Sequence, residues 1–319
     1  MTAPTATAPR LLLAAGVPAP IQAALRQRYD CVAPDAATGL AALTGQHGDG
    51  IDLFVTTATD GVTDDLMARL PGLRAVCSLG AGVDALDLAA ARRRGVVVSN
   101  TPDVLNDCVA DLAVGLLIDV ARGMSRADRL VRRGDWPRTG PGPLGTRVSG
   151  RRLGLLGMGR IGQTIARRLA GFDMEIRYHT RTPVAQVPHA HEASLEALAG
   201  WCDFLVVACA GGEATRHLVN APVLAALGPA GFLVNIARGS VVDESALVDA
   251  LRAGALAGAA LDVFASEPQV PPELLAMDNV VLLPHIASAT AQTRRAMGDL
   301  LLANVASFVD SGSLRTPVA

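Results

Sequence analysis

The chain has 319 residues, half of them hydrophobic and only 3% aromatic, with 28 basic against 30 acidic side chains and a formal charge of −2. That length holds two domains of ordinary size, and a core drawn from Ala, Val and Leu suits an α/β architecture better than a β-sandwich. Basic residues are scattered, which leaves no electrostatic footprint for nucleic acid or an anionic membrane surface, and all of them are Arg, which rules out a Schiff-base or catalytic lysine.

The N-terminal stretch MTAPTATAPRLLLAAG has a short apolar run and small residues, as a secretory leader has, but its one charge does not precede the run by the usual margin. RLLLAAG followed by a helical pattern reads instead as the first strand of a βα unit. No apolar run approaches the ~20 residues of a membrane span. The five cysteines, Cys31, Cys77, Cys108, Cys202 and Cys209, are odd in number and fall mostly within apolar runs, as reduced core thiols do. A cytoplasmic location is the expectation.

Strand-like runs follow one another with helical stretches between them: Leu11 to Leu13, Leu53 to Thr56, Ala75 to Ser78, Val96 to Val98, then Leu153 to Leu156, Glu175 to Tyr178, Phe204 to Val207, Phe232 to Asn235, Gly258 to Leu261 and Val280 to Leu282. Strands alternating with helices predict right-handed βαβ units and parallel sheets. The two series are separated by NTPDVLNDCVADLAVGLLIDVARGM, where Thr101 is a candidate N-cap, Pro102 fits the first helical position and Asp103 favours the positive end of the dipole. A long helix is predicted to start there. It is apolar on nearly every side from Leu112 to Val120, so it needs cover from its own domain and from another domain or subunit. GDWPRTGPGPLGTRVSG, which follows, is too rich in Gly and Pro for a regular element.

In RRLGLLGMGRIGQTIARRLAG, Gly157, Gly159 and Gly162 form G-x-G-x-x-G, with Met158, Arg160 and Ile161 inside it. The first glycine permits a tight turn, the second lets a pyrophosphate approach the backbone, and the third lets helix pack on strand. An apolar strand before the motif and a helical stripe after it supply the context that the pattern alone lacks. About 20 residues on, an NAD-preferring unit usually carries an acid for the ribose hydroxyls. This chain has Thr180, Arg181 and Thr182 there, a combination suited to a ribose 2′-phosphate, so NADPH is expected in preference to NADH.

Three further stretches, VNIARGSVVDESAL, ALDVFASEP and VLLPHIASAT, lie near the C-terminal ends of later strands, where open α/β sheets place ligands. With the fingerprint and NTPDVLNDCVADLAVGLL, they closely resemble the D-isomer-specific 2-hydroxyacid dehydrogenases, and among these the glyoxylate/hydroxypyruvate reductase branch. The resemblance runs from SLGAGVDALDL to RRAM. It implies two doubly wound α/β domains, a flavodoxin-like substrate domain of residues 1–99 and 287–319 and an inserted Rossmann cofactor domain of residues 100–286, with a cleft between them. It also implies a homodimer made through the long helix.

By that resemblance Arg238 binds the substrate carboxylate and carbonyl oxygen, His285 is the general acid/base, and Glu267 pairs with it. Ala81 and Gly82 hold the substrate carboxylate through backbone N–H groups, and Ser288 lines the same cleft. Ile236, Ala237 and Thr215 meet the cofactor, and Asp262 accepts a hydrogen bond from the nicotinamide carboxamide; the alternative for Asp262 is a cap on the following turn. The residue types suit the chemistry. Reducing a 2-oxo acid takes a hydride from the cofactor and a proton from a group such as histidine, while an arginine fork holds the carboxylate.

One departure stands out. Relatives usually carry a Pro and then a Thr after the third cofactor-domain strand, whereas this chain reads VACAGGEATRHLV, which predicts a more mobile loop at Ala210, Gly211 and Gly212. His47, His179, His189, His191 and His217 do not gather into metal-ligand spacing; the H-x-H pair at 189 and 191 reads as a solvated loop, and no metal is expected. A phosphoglycerate dehydrogenase or another reductase of larger 2-oxo acids is the rival of like fold. A dinucleotide-sensing corepressor-like scaffold is the rival of a different class.

Overall fold

The computed structural model describes residues 9–34, 44 and 48–318; His47 and the first eight residues, which carry the leader-like composition, lie outside them. Contacts divide the chain into two units, residues 1–105 with 290–319, and residues 106–289.

The first unit is a five-stranded parallel sheet of β1 (Arg10–Leu13), β2 (Asp30–Val32), β3 (Leu53–Thr57), β4 (Ala75–Leu79) and β5 (Val97–Ser99), in the order β2-β1-β3-β4-β5. That is the flavodoxin-like order. Leu11, Leu13, Leu53, Phe54, Val55, Val76 and Cys77 are wholly buried, as strands covered on both faces require. The Ala291–Ser311 helix packs on β4 and returns the chain to this unit, so the second unit is an insertion.

The second unit holds seven parallel strands: β6 (Arg152–Leu156), β7 (Glu175–His179), β8 (Ala190–His191), β9 (Phe204–Val207), β10 (Phe232–Asn235), β11 (Gly258–Leu261) and β12 (Val280–Leu282). Their order, β12-β11-β10-β9-β6-β7-β8, is the dinucleotide-binding order with one extra strand, and its direction reverses between β6 and β9. The two-domain α/β fold is therefore as the sequence predicts. Two edge strands, β2 and β8, are additions to the predicted set.

Three local expectations need correcting. The long helix runs Asn106–Arg122 and does not begin at Thr101. The Thr101 hydroxyl accepts the Gly80 N–H at 2.9 Å and the Thr101 N–H donates to the Gly80 carbonyl at 2.8 Å, so this residue anchors the loop after β4 and caps nothing; Asp103 sits at φ 69°. The helix is covered on one side, where Ala113, Leu116, Leu117 and Val120 are buried, while Leu112, Val114 and Ile118 stay half-exposed. Within the Gly/Pro-rich stretch, Trp136–Thr139 closes one helical turn because Pro137 fits its first turn. The H-x-H segment ends in an edge strand and is not wholly loop: His189 lies in a bend, and Tyr178 pairs with His191 across β7 and β8.

Candidate active site

Because every strand of the second sheet is parallel, whatever follows a strand emerges on the same edge. The fingerprint follows β6, at the switch point. Its glycines have distinct reasons. A Cβ at Gly157, where φ is 105°, would lie 2.7 Å from the Cys209 nitrogen, and one at Gly162 would lie 2.2 Å from the Gly157 oxygen, so turn and helix could not approach as they do. A Cβ at Gly159 would meet nothing within 4 Å; it would fill the open space at the start of the Arg160–Leu169 helix. That helix has no side-chain cap, so its first N–H groups face the space with the positive end of the dipole. The cradle fits a pyrophosphate. Met158 is buried, its carbonyl held by the Gln163 amide at 3.1 Å, and Ile161 is half-buried.

After β7, the Thr180 hydroxyl donates to the Thr182 carbonyl at 2.7 Å, and Arg181 and Thr182 are exposed. After β9, the Thr215 hydroxyl donates to the carbonyl of Ala210 at 2.8 Å and lies 3.1 Å from that of Gly212, which closes the loop that the sequence leaves without its usual proline.

The β10 end carries Ile236 and Ala237, both buried, and then Arg238. Asn235, 1% exposed, shapes this turn: its oxygen accepts the Ala237 N–H at 3.0 Å and its amide donates to the Arg238 carbonyl at 3.0 Å. Sequence reasoning misses that role; the available signal is an amide ending an otherwise apolar strand. Gly239 is required by close approach, since a Cβ there would fall 1.9 Å from the Phe264 carbonyl carbon. The segment with Arg238 is thereby pressed onto the one with Glu267.

Glu267 Oε2 accepts from His285 Nδ1 at 2.7 Å and Oε1 accepts the Phe264 N–H at 3.0 Å. Burial alone would push the Glu267 carboxyl up, but the bonds from His285 and Phe264 and the charges of His285 and Arg238 outweigh it and hold the carboxyl below its ordinary value. An ionised carboxylate only accepts, so the proton at Nδ1 belongs to the imidazole and Nε2 is left for a reacting group.

His285 lies at φ 53°, a left-handed conformation that costs a non-glycine residue about 1–2 kcal/mol. Asp262 holds it there. The His285 N–H donates to the Asp262 carbonyl at 2.8 Å, and the two Asp262 carboxylate oxygens accept the N–H groups of Ile286 and Ala287, each at 2.8 Å. Burial pushes the Asp262 carboxyl up against those two bonds. Asp262 is 0% exposed, and each of its carboxylate oxygens holds one backbone N–H. The alternative reading, a cap on the following turn, describes its place. Ser288 is half-buried just beyond.

Ala81 and Gly82 belong to the other unit, on the loop after β4. Both are half-buried, and the Asn100 amide donates to the Ala81 carbonyl at 2.8 Å. Among the described residues no group of His, Cys, Asp and Glu has metal-binding geometry, and no helix is long and apolar enough to cross a membrane.

A fingerprint at a sheet's switch point and an acid–base pair beside an arginine on the same edge define a nicotinamide-dependent oxidoreductase. Residues 114–287 match the model of the D-isomer specific 2-hydroxyacid dehydrogenase NAD binding domain. The chain is 45% identical over 272 residues to glyoxylate/hydroxypyruvate reductase A of Arabidopsis thaliana, covering 85% of this chain and 87% of that one. Over an equal span it is 44% identical to the hydroxyphenylpyruvate reductase of Plectranthus scutellarioides, with the same coverage, 85% and 87%. A solved structure of the NADPH-dependent glyoxylate/hydroxypyruvate reductase of Sinorhizobium meliloti, in complex with NADP and malonate, is similar at TM-score 0.93 and 42% identity, covering 98% of this chain and 97% of that one. The chain belongs to the D-isomer specific 2-hydroxyacid dehydrogenase family, and is an NAD(P)-dependent enzyme of that kind.

Proposed function

We propose that the enzyme reduces small 2-oxo acids, glyoxylate and hydroxypyruvate among them, to 2-hydroxy acids with NADPH. The observation that carries this reading is the 2.7 Å bond between Glu267 and His285 on the edge that also presents Arg238 and the fingerprint. The bound cofactor supplies the hydride. His285 gives a proton from Nε2 to the oxygen of the carbonyl being reduced, and Glu267, ionised and bonded at Nδ1, stabilises the imidazolium that donates it. Arg238 binds the substrate carboxylate and carbonyl oxygen with its planar fork and offsets the developing alkoxide charge. Asp262 and Asn235 act at one remove, by fixing the turns that carry His285 and Arg238.

In the cofactor site, Gly157 to Gly162 hold the pyrophosphate, Thr180, Arg181 and Thr182 the 2′-phosphate, and Ile236, Ala237 and Thr215 border the remainder. Residues 106–289 form the cofactor domain; the other unit is the substrate domain, with Ala81 and Gly82 offering N–H groups to the substrate carboxylate. Five cysteines without a disulfide support a cytoplasmic enzyme. A homodimer is supported by the half-exposed apolar face of the Asn106–Arg122 helix together with exposed Met124, Val131, Trp136 and Leu144 just after it. Sedimentation at micromolar concentration tests that, and a monomer would refute it.

The activity itself is tested by following oxidation of NADPH and of NADH with glyoxylate, hydroxypyruvate and larger 2-oxo acids. Turnover of the small acids with NADPH is expected. A purified, folded enzyme that oxidises neither cofactor with any of them would overturn the reading.

A further inference from the structure

The loop that carries Arg181 is fastened by side chains that take no part in the reaction. At its far end, the hydroxyl of buried Tyr178 accepts the Val184 N–H at 2.9 Å. At its near end, His191 on the edge strand β8 donates from Nε2 to the Thr180 carbonyl at 2.9 Å. The His191 ring lies 5.2 Å from that of Tyr178 and stacks on that of His179 at 6.3 Å, with an interplanar angle of 16°. His179 is itself tied on two sides: its Nδ1 donates to the Glu192 carbonyl at 2.8 Å, and its own carbonyl accepts the N–H of Gly157, the first fingerprint glycine, at 2.9 Å. Residues 179 and 180 are thereby fixed relative to the pyrophosphate cradle before any cofactor arrives.

We propose that His191 is a positioning residue that sets the preference for a 2′-phosphorylated dinucleotide, by holding the Thr180 carbonyl and so presenting Thr180, Arg181 and Thr182 in a formed loop. The inference rests on the NADPH reading given above. A free loop must be ordered when a phosphate binds it, and that entropic cost lowers affinity. A dinucleotide with a 2′-hydroxyl draws no charge-assisted contacts from Arg181 and depends little on the order of this loop. Loosening the loop therefore weakens one cofactor and spares the other. A residue needed only for the stability of the domain would weaken both.

The test is calorimetric titration of the free enzyme with NADP and with NAD, which requires no turnover. His191→Phe keeps a ring against Tyr178 and His179 but removes the donor. It should raise the Kd for NADP roughly threefold to tenfold, the range expected for one hydrogen bond, and leave that for NAD unchanged. His191→Gln restores an N–H donor without an imidazole and without any charge, so recovery of most of the NADP affinity assigns the effect to the bond to Thr180. Equal losses for both cofactors in the Phe variant, an unchanged Kd for NADP, or a Gln variant no better than Phe would each overturn the proposal. An unmodified enzyme that binds NADP no more tightly than NAD would overturn the cofactor reading and this inference together; a preference undiminished in His191→Phe would overturn this inference alone.

Discussion

Replacing Glu267 by Gln exchanges one carboxylate oxygen for an NH2 group and tests the whole acid–base arrangement. Both carboxylate oxygens are in use, Oε2 with His285 Nδ1 at 2.7 Å and Oε1 with the Phe264 N–H at 3.0 Å. An amide satisfies one of them in either orientation. With its oxygen toward His285, its NH2 opposes the Phe264 N–H; with its oxygen toward Phe264, its NH2 forces Nδ1 to accept and excludes the imidazolium. In both cases the anion beside the imidazolium is gone. A charge-assisted hydrogen bond is worth about 1.5–3 kcal/mol, which we discount to ~1–2 kcal/mol because the His285 and Glu267 side chains are 37% and 27% exposed. That converts to a fall in kcat/KM of roughly fivefold to thirtyfold near neutrality. The direction follows from linkage. The Glu267 carboxyl is held below its ordinary value by contacts that include His285, so the pair favours carboxylate and imidazolium together, and the bond persists as pH falls through the ordinary carboxylate range. Without the carboxylate the bond at Nδ1 loses its anion, so the alkaline limb of the reductive kcat/KM profile moves to lower pH. Steady-state rates with glyoxylate from pH 5.5 to 9 measure it. A profile superimposable on that of the unmodified enzyme would refute the assignment of this pair.

Three other perturbations follow from the same geometry. Arg238→Lys conserves charge but loses the planar fork; kcat/KM should fall by about a hundredfold or more, as measured by initial rates, and unchanged kinetics would make Arg238 a structural residue. Asp262→Asn sets an amide NH2 against the N–H of Ile286 or Ala287, a mismatch of ~1–3 kcal/mol that loosens the turn of His285. Its kcat should drop about tenfold with little change in cofactor Kd, and a full kcat would leave Asp262 without influence on catalysis. Gly162→Ala pushes a Cβ to 2.2 Å from the Gly157 oxygen, so cofactor Kd should rise at least about tenfold while circular dichroism shows the fold intact; unchanged affinity would count against the cradle.

Most of the ten strands visible in the sequence are buried along nearly their whole length, and their signal is burial itself. Phe204–Val207, Phe232–Asn235 and Gly258–Leu261 are buried at every position, so each reads as a continuous run of small or apolar residues. Asp30–Val32 and Ala190–His191 escape notice because they are short and partly polar, whereas the other two edge strands, Val97–Ser99 and Val280–Leu282, are apolar enough to be read. The false helix start at Thr101 has a different origin. A threonine before a proline has the local chemistry of a cap, and only the tertiary structure shows its hydroxyl committed to Gly80, 21 residues earlier in the chain.

The same distinction separates the residues of the site. Arg238, Glu267 and His285 are legible because each is a charged or titratable side chain just past a buried parallel strand, and parallel strands deliver all such residues to one edge. Asn235, Gly239 and His191 act on backbone, and a backbone partner leaves no mark in the sequence; Asp262 is visible there as an acid directly after a buried strand, but its backbone partners are not. Their necessity follows from the ladder itself. Hydrogen bonding continues past the strand ends, from Asp262 N–H to the Asn235 carbonyl at 3.0 Å, from Leu283 N–H to the Leu261 carbonyl at 2.9 Å, and from His285 N–H to the Asp262 carbonyl at 2.8 Å. An ordinary continuation would point the next side chain along the pleat. The left-handed turn at His285 breaks that continuation, and its N–H groups at Ile286 and Ala287 would be left without partners next to the sheet. A carboxylate accepting both is the economical way to hold the turn, which is why a buried acid follows the strand neighbouring β12. The imidazole is thus aimed by the sheet, through Asp262, and charged by Glu267, through Nδ1. Two acids serve one histidine in different ways, and substituting them separately should distinguish aim from charge: Asp262→Asn acts mainly on kcat and moves the pH profile less than Glu267→Gln, whose carboxylate bonds the imidazole directly.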